Sequence, residues 1–179
     1  MSKKELTAEQ QRMVGIWYKH TKREFESRDT DETMRTMTGE PHVNHVHVMT
    51  GGSGWENVRD FFSKHFIRYQ PEDVELVPVS RTVGSDRVVD ELIFKFTHDI
   101  DMPWMLPGIR PTGRSVELPL VVIVQFKDGK ISSEHLYWDQ ASVLVQIGVL
   151  DPGSLPVAGV ETARKVLDPG LPSNQLMSG

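Results

Sequence analysis

Hydrophobic residues in the first third of the chain recur at the spacing of an α-helix. Thr7 and Gln10 stand three residues apart, as in a capping box, and predict where the first helix begins. Two further helices are predicted to begin at Asp29 and at Ser53, each followed three residues later by a glutamate. The residues that mark the helical stripe of the first helix are Val14, Trp17, Tyr18, Thr21 and Phe25.

The pattern changes to that of strands after Pro71. Alternating or continuously apolar segments predict strands over residues 74–82, 87–98, 115–126 and 130–138. Turn residues at 84–86 and at Asp128-Gly129 predict that these strands form hairpins. One earlier segment, residues 43–49, also alternates, and this alternation places His45 and His47 on one face of a strand.

Helices followed by antiparallel hairpins are typical of an α+β domain. We predict a cone-shaped, curved antiparallel sheet that the N-terminal helices cover on one side, so that the sheet encloses a pocket. This domain spans residues 1–150. Residues 151–179 are rich in Pro and Gly and are predicted to form an extension, with one short helix over 157–167, that packs on the domain or on a partner subunit.

Composition narrows the classes of function. The 179 residues include 38% hydrophobic and 25% charged residues, which is ordinary for a globular domain. The net charge of −5, without a cluster of Lys and Arg, argues against a nucleic-acid partner. The chain has no Cys, which excludes thiol nucleophiles and thiolate metal sites. No apolar segment follows residues 1–6 and no run could span a bilayer, so we expect a cytoplasmic protein without a membrane partner.

A long connection, residues 99–114, joins two of the predicted strands. It is stiffened by prolines and carries apolar side chains that a disordered loop would lack, namely Met102, Trp104, Met105, Leu106 and Ile109. One interpretation is a hydrophobic lid over a bound ligand. The other is a loop that packs into its own core or into a dimer interface.

The segment 130–148 holds the densest group of residues able to transfer or bind a proton. Strand alternation predicts that His135 shares a face with Tyr137 and Asp139, whereas Glu134 shares the opposite face with Trp138 and reaches solvent. Asp139 stands where the strand becomes a helix. It is either an N-cap or a partly buried carboxylate that exchanges protons near neutral pH, and both interpretations remain open.

Further candidate residues lie on the other predicted strands. His45 and His47, which share a face of the predicted strand, could chelate a metal, but histidines on strands more often line pockets or bond within cores, and we predict no metal. Asp90 and Glu91 lie within an apolar strand, so one of them faces inward, and we favour Glu91. His98 stands where that strand enters the long connection.

Three segments carry a resemblance to a known family: GGSGWENVRDFF, VVDELIFKFTHD and PTGRSVELPLVVIVQFKDGKISSEHLYWDQASVLVQIG. They resemble the SnoaL-like polyketide cyclase, or ester cyclase, branch of the nuclear-transport-factor-2-like superfamily, over roughly residues 10–150. The resemblance implies a cone-like α+β fold, a deep pocket, a homodimer or homotetramer, and neither a metal nor an organic cofactor. It also implies that the position of Asp139 is that of the general acid/base for an aldol closure.

The sequence therefore predicts a cofactor-independent acid/base enzyme, a cyclase, isomerase or dehydratase, acting on a small hydrophobic carbonyl compound. Asp139 is the predicted main acid/base, and His45, His47, Glu91 and His98 are candidates for polarising or orienting the substrate. The residues predicted to bind the substrate are Trp17, Trp104, Met105, His135, Tyr137 and Trp138. Two alternatives remain, a non-catalytic binding protein for a hydrophobic metabolite and a dimerisation module.

Overall fold

The computed structural model of the protein describes residues 5–177, and in it most helices precede most strands. Residues 1–4 and 178–179 lie outside the described residues. They include the start of the predicted domain, with most of residues 1–6, and the end of the predicted C-terminal extension. The helices are α1 Ala8–Phe25, α2 Thr30–Met34, α3 Trp55–Phe61, α4 Gln140–Gln146 and α5 Glu161–Leu167. The strands are β1 Met37–His45, β2 Thr50–Ser53, β3 Glu75–Val83, β4 Arg87–Thr97, β5 Ser115–Lys127 and β6 Lys130–Trp138. Within this described part, no helix combines the length and the apolar character needed to cross a membrane.

The six strands form one curved, unclosed sheet in the order β2-β1-β6-β5-β4-β3. The sheet and the N-terminal helices confirm the predicted α+β fold. Four of the five strand pairs are antiparallel, but β1 and β6 run parallel. Strands joined by a tight hairpin must be antiparallel, whereas the long chain between β1 and β6 imposes no such restriction.

The helix starts follow local capping chemistry. Thr7 and Gln10 form the predicted capping box at the start of α1, with hydrogen bonds of 2.9 and 3.2 Å. The side chain of Asp29 caps α2, as predicted. The prediction for α3 is wrong in detail, because Ser53 ends β2 and Gly54, at φ 81°, is the N-cap. A glycine adopts this positive φ without the steric cost that a side chain would add.

The strand predicted over residues 43–49 is shifted. β1 ends at His45, and the next four residues turn back into β2, with Met49 in the left-handed region at φ 54°. His45 is therefore buried at the end of a strand, whereas His47 is exposed on the turn. The prediction that these two histidines share a strand face is wrong.

The long connection after β4 packs into the core. Met102, Trp104, Met105 and Leu106 are all buried. The indole N–H of Trp104 also donates to the carbonyl oxygen of Tyr69 at 3.1 Å. Of the two interpretations of this loop, the structure therefore favours a segment that packs into its own core.

The C-terminal extension lies against the domain from which it emerges. α5 contacts β5, and Ala163 of α5 is fully buried. The hydroxyl of Ser142 in α4 donates to the carbonyl oxygen of Gly159 at 2.8 Å. The helix predicted over 157–167 is present as the shorter α5. This packing leaves the opposite, inner side of the sheet to α1 and to the site described next.

Candidate active site

A small cavity of about 40 Å³ lies between α1 and the inner face of the sheet. Its walls are mainly apolar and aromatic and include Trp17, Phe66 and Trp104. Three ionisable side chains also line it, those of Glu24, His45 and Glu134. A volume of this size accommodates water molecules but no larger molecule. The cavity therefore combines an apolar interior with a few groups able to exchange or bind a proton.

A fully buried histidine joins the two glutamates. The Nδ1 of His20 lies 2.6 Å from the hydroxyl oxygen of Thr36, and that hydroxyl itself donates to the carbonyl oxygen of Thr33 at 2.6 Å. Because the hydroxyl proton is already used, Nδ1–H must be the donor to Thr36. Nε2 lies 3.1 Å from Glu24 Oε1 and 3.0 Å from Glu134 Oε1, so it also carries a proton. The geometry thus describes a buried imidazolium held between two carboxyl groups.

The electrostatics of the cluster agree with this protonation. Burial alone would lower the pKa of His20, but the negative charges of Glu134 and Glu24 outweigh it and raise the pKa to about 10. Burial raises the pKa of Glu24 to about 7, against the opposing effect of His20. Glu134 Oε1 is buried, and although it lies beside the imidazolium it accepts no well-aligned hydrogen bond. One carboxyl oxygen therefore keeps a free lone pair in an apolar site.

The ligand atoms of His20, Glu24 and Glu134 lie within 4.8 Å of one another, a spacing that would also suit a divalent cation. A cation at this point would replace the Nε2 proton of His20. Protons alone already neutralise the cluster, because an imidazolium, one carboxylate and one carboxylic acid sum to zero charge. We therefore treat the cluster as a site for protons, and chelation is one arm of the test below.

His45 is held in one tautomer by a second hydrogen-bond chain. Its Nδ1 lies 3.1 Å from the hydroxyl oxygen of Thr50, and that hydroxyl donates to the carbonyl oxygen of Trp104 at 2.7 Å. The Thr50 proton is therefore used, so Nδ1 carries the proton and Nε2 is a bare acceptor. Burial lowers the pKa of His45 to about 3. The rings within 5.8 Å of its own, centroid to centroid, are those of Phe61, Phe66, Trp104 and Trp138.

Asp139 lies outside the cavity lining. Its carboxylate is exposed and accepts hydrogen bonds from the backbone N–H groups of Ala141 and Ser142 at 2.9 and 3.2 Å. These are the contacts of an N-cap residue at the start of α4. Of the two interpretations of Asp139, the geometry supports the cap, and the acid/base role is not carried forward.

The predicted alternation of β6 is present, but the face predicted to line the pocket is the outer face and the other face points inward. Glu134 and Trp138 are buried on the inner side of the sheet with Leu136, and Glu134 and Leu136 line the cavity. His135 and Tyr137 lie on the outer face, where His135 Nε2 is 3.4 Å from His42 Nδ1. The prediction assumed that Asp139 marks the pocket side, but the strand ends at Trp138. His135 and Tyr137 are therefore remote from the cavity that they were predicted to line.

The acidic pair on β4 is also reversed. Asp90 faces inward and accepts a hydrogen bond from the indole N–H of Trp17 at 2.7 Å and two from Arg81 at 2.6 and 2.7 Å. Glu91 faces outward and accepts a hydrogen bond from the Ser80 hydroxyl at 2.9 Å. The prediction that favoured Glu91 as the inward acid is wrong, because it is Asp90 that is buried, between the indole of Trp17 and the guanidinium of the exposed Arg81.

The remaining predicted site residues divide between the cavity and its surroundings. Trp17, His45 and Trp104 line the cavity. Trp138 and Met105 are buried nearby, and the Trp138 ring lies 5.8 Å from that of His45. His47 is exposed, against the Trp138 ring at 5.4 Å. His98 is buried outside the cavity lining, where its Nδ1 lies 3.2 Å from the Thr112 hydroxyl and burial lowers its pKa.

The sequence did not reveal the cluster of His20, Glu24 and Glu134. One signal was available, because Met13, Trp17, His20 and Glu24 recur at intervals of four, three and four residues and form the buried face of α1. A histidine and a glutamate on the apolar face of an amphipathic helix require partners inside the fold. The sequence does not indicate Glu134 as a partner, because the strand alternation predicts that Glu134 lies on the solvent face of β6.

Comparison with known proteins identifies the fold. Residues 19–134 match the family model of the SnoaL-like domain. No match to a curated protein was found. A SnoaL-like protein from Jannaschia sp. CCS1 superposes with a TM-score of 0.66 at 20% identity, over 83% of this chain and 99% of that chain.

Two further structures show the same fold at low identity. TsrD from Streptomyces laurentii superposes with a TM-score of 0.60 at 17% identity, over 82% of this chain and 100% of that chain. A protein with a ketosteroid-isomerase-like fold from Catenulispora acidiphila, in complex with trimethylamine, gives a TM-score of 0.58 at 12% identity, over 75% of this chain and 93% of that chain. At these identities the likeness establishes the fold and leaves the chemistry to the side chains.

Proposed function

This chain belongs to the SnoaL-like domain family, and from that premise we propose that it is an acid/base enzyme acting on a small, largely apolar carbonyl compound. The reaction is a proton transfer of the kind that a cyclase, an isomerase or a dehydratase carries out. The observation that carries the proposal is the pair of carboxyl groups, Glu24 and Glu134, that line one apolar cavity and both lie beside Nε2 of His20. The proposal moves the acid/base role from Asp139 to these two residues.

The two carboxyl groups have different environments, which suits different roles. Glu134 Oε1 has a free lone pair and would accept a proton from the carbon next to the substrate carbonyl. Glu24, whose pKa burial raises to about 7, would give its proton to the carbonyl oxygen, and the substrate leaves this step as an enol. Return of the proton from Glu134 to a different carbon of the enol system, and of the hydroxyl proton to Glu24, completes an isomerisation. Return to the same carbon completes only a proton exchange. His20 positions both carboxyl groups and does not itself contact the substrate.

Substrate entry requires the cavity to enlarge. At about 40 Å³ the cavity is smaller than any ketone of six or more heavy atoms. Phe62 and Phe66, which line it, belong to a π-helical turn that follows α3, and such turns are frequent at functional sites. Rotation of these two side chains opens space without unfolding the sheet. We therefore place the entry route beside this turn.

Proton exchange into a simple ketone tests the proposal without knowledge of the natural substrate. Cyclopentanone and cyclohexanone are incubated with the protein in D₂O, and loss of the α-proton signals is followed by NMR. We expect the wild type to accelerate exchange and Glu134→Gln to reduce the acceleration by about 100-fold or more, because a positioned base contributes about 10²–10⁴-fold. Glu24→Gln should retain part of the activity.

The matched control is Asp139→Asn, which leaves the cavity untouched and should exchange protons like the wild type. Circular dichroism confirms that each variant is folded. If neither ketone exchanges faster than in buffer, or if Asp139→Asn loses activity while Glu134→Gln retains it, the proposal is wrong. Loss of exchange on treatment with EDTA would assign the cluster to a divalent cation in place of the Nε2 proton.

The second candidate is a non-catalytic binding protein for a hydrophobic metabolite. The mainly apolar and aromatic lining of the cavity favours it, because such a lining holds an apolar molecule without any chemistry. A binding protein is stabilised by its ligand and releases it unchanged. Thermal stabilisation by cyclohexanone without α-proton exchange would therefore favour binding over catalysis.

A further inference from the structure

The side-chain donors in the cavity wall are already used by the protein. The indole N–H of Trp17 donates to Asp90, and that of Trp104 donates to the Tyr69 carbonyl oxygen. The hydroxyl of Thr21 donates to backbone carbonyl oxygens of α1. Apart from a protonated Glu24, the lining therefore offers no free side-chain donor within the described residues, and a ligand meets mostly acceptors.

His45 provides one of these acceptors. Thr50 fixes the proton of the imidazole on Nδ1, which leaves Nε2 with a lone pair. Aromatic rings surround the imidazole, and neither its hydrogen bonds nor its ring contacts bring a carboxylate to it that would favour a second proton. The low pKa of about 3, which burial causes, agrees with a ring that stays neutral. Because His45 lines the cavity, Nε2 is the nitrogen that a ligand hydroxyl can reach, and it favours a ligand that brings a donor.

We infer that His45 is a specificity-determining residue whose Nε2 accepts a hydrogen bond from a hydroxyl group of the ligand. The ligand class is a compact, largely apolar molecule with a hydroxyl, either an alcohol or the enol form of a ketone. This inference rests on the proposed function only in taking the cavity as the substrate site. It does not depend on proton transfer by Glu134.

The inference narrows the substrate of the proposed reaction. Protonated Glu24 supplies a donor for a carbonyl oxygen, and His45 supplies an acceptor for a hydroxyl on the same molecule. A molecule with both groups, a hydroxycarbonyl compound, satisfies both. A simple ketone satisfies only the first and leaves Nε2 of His45 unpaired.

Isosteric probe pairs test the inference by binding alone. Phenol and toluene differ by hydroxyl against methyl on a flat ring, and cyclohexanol and methylcyclohexane make the same comparison on a saturated ring. Dissociation constants are measured by titration calorimetry. We expect the hydroxyl member of at least one pair to bind about tenfold more tightly, as one satisfied hydrogen bond provides. A preference confined to phenol indicates an enol, and one confined to cyclohexanol indicates an alcohol.

Three variants test whether the preference for a hydroxyl group depends on His45 or is a general preference of the cavity for polar molecules. His45→Gln can place an amide oxygen near the position of Nε2 and should keep the preference. His45→Asn can keep a donor to Thr50 but has no acceptor at that position, so it should lose the preference. Thr50→Val removes the partner of Nδ1, frees the tautomer and should reduce the preference while the fold is retained.

The inference is overturned if the wild type binds toluene and methylcyclohexane as tightly as their hydroxyl partners, or binds none of the four. It is also overturned if His45→Asn keeps the full preference. If the His45 variants fail to fold, the inference is tested by Thr50→Val and by the imidazole ¹⁵N NMR spectrum of the wild type. The spectrum must show a proton on Nδ1 and none on Nε2 of His45. The exchange of ketone α-protons tests the proposed function separately. A protein that exchanges these protons but binds the hydroxyl probes no more tightly than their methyl partners contradicts only the inference about His45.

Discussion

At the scale of single residues, Glu24 and His20 link stability to pH. The folded pKa of Glu24 is about 7 against an ordinary value of 4.5, so between these values the native state binds more protons than the unfolded state. For His20 the corresponding window runs from 6.5 to about 10. Stability contributed by both groups therefore falls as the pH rises, over 4.5–7 for Glu24 and over 6.5–10 for His20.

Comparison of the wild type with Glu24→Gln isolates the lower window. Gln cannot ionise, so the variant should lack the decline between pH 4.5 and 7 and keep the decline above it. We expect the stability difference between the two proteins to change by on the order of 3 kcal/mol across the lower window. Urea unfolding at closely spaced pH values measures it. A difference that is independent of pH would show that Glu24 does not titrate in the native state.

Asp139 makes a contrasting prediction, because its carboxylate serves the backbone of α4. Asp139→Asn should leave stability and ketone exchange nearly unchanged, since Asn caps a helix about as well as Asp. Asp139→Ala should cost about 1 kcal/mol, because the N–H groups of Ala141 and Ser142 lose their acceptor. Urea unfolding gives the stability and the deuterium assay the activity. Loss of exchange in folded Asp139→Asn would restore the acid/base role that the sequence predicted.

At the scale of elements, Trp104 anchors the connection between β4 and β5. Its ring is buried beside His45 and Phe66, and its N–H bonds to Tyr69. Trp104→Ala should destabilise the fold by about 3–5 kcal/mol, because it removes a large buried side chain. Trp104→Phe should cost less, since most of the packing remains. Urea unfolding, with proteolysis to detect release of residues 99–114, measures both effects.

The matched control for this loop is Ile109→Ala. Because Ile109 is only partly buried, its substitution should lower the free energy of unfolding much less than Trp104→Ala does. If Trp104→Ala remained within about 1 kcal/mol of the wild type, the connection would not be anchored in the core. It would then be the detachable lid that the sequence also allowed.

Helix starts and hairpin strands were predictable because short-range chemistry determines them. Thr7 with Gln10 and the turn at Asp128-Gly129 act over three or four residues, and the structure contains both. It was harder to predict from the sequence which face of a strand points inward. The order Glu134, His135, Leu136, Tyr137, Trp138 contains large side chains in both phases, so β6 could be assigned either way. Only the partners decide, here α1 on one face, with His20 placed to meet Glu134.

At the scale of the whole molecule, the cavity joins residues that are far apart in the chain. His20 and Glu24 come from α1, His45 from the end of β1 and Glu134 from β6. No local pattern connects them, because the contacts depend on parallel pairing of β1 with β6 and on α1 crossing the sheet. The fold family was recognisable from the sequence, whereas the site required the three-dimensional register.

The outer face of the sheet leads to a prediction about assembly. Val89, Val121 and Ile123 alternate with core residues and are only half-buried, and Tyr137 beside them is 38% exposed. They form an apolar patch on the face of the sheet opposite α1, and Glu91 and His135 interrupt it. Exposed apolar side chains grouped with polar ones on one face are typical of a surface between subunits. We therefore expect a homodimer, or a homotetramer built from it, that buries this surface.

Ile123→Asp places a charge in the centre of that surface, and a buried unpaired carboxylate opposes association. We expect light scattering to give twice the chain mass, or four times, for the wild type and a folded monomer for Ile123→Asp. Val79→Asp is the matched control, because Val79 is 36% exposed on the edge strand β3 and should leave the assembly intact. A monomeric wild type would contradict the prediction. Because the cavity lies on the opposite side of the sheet, a monomeric Ile123→Asp that still exchanges ketone protons would show that the site is complete within one chain.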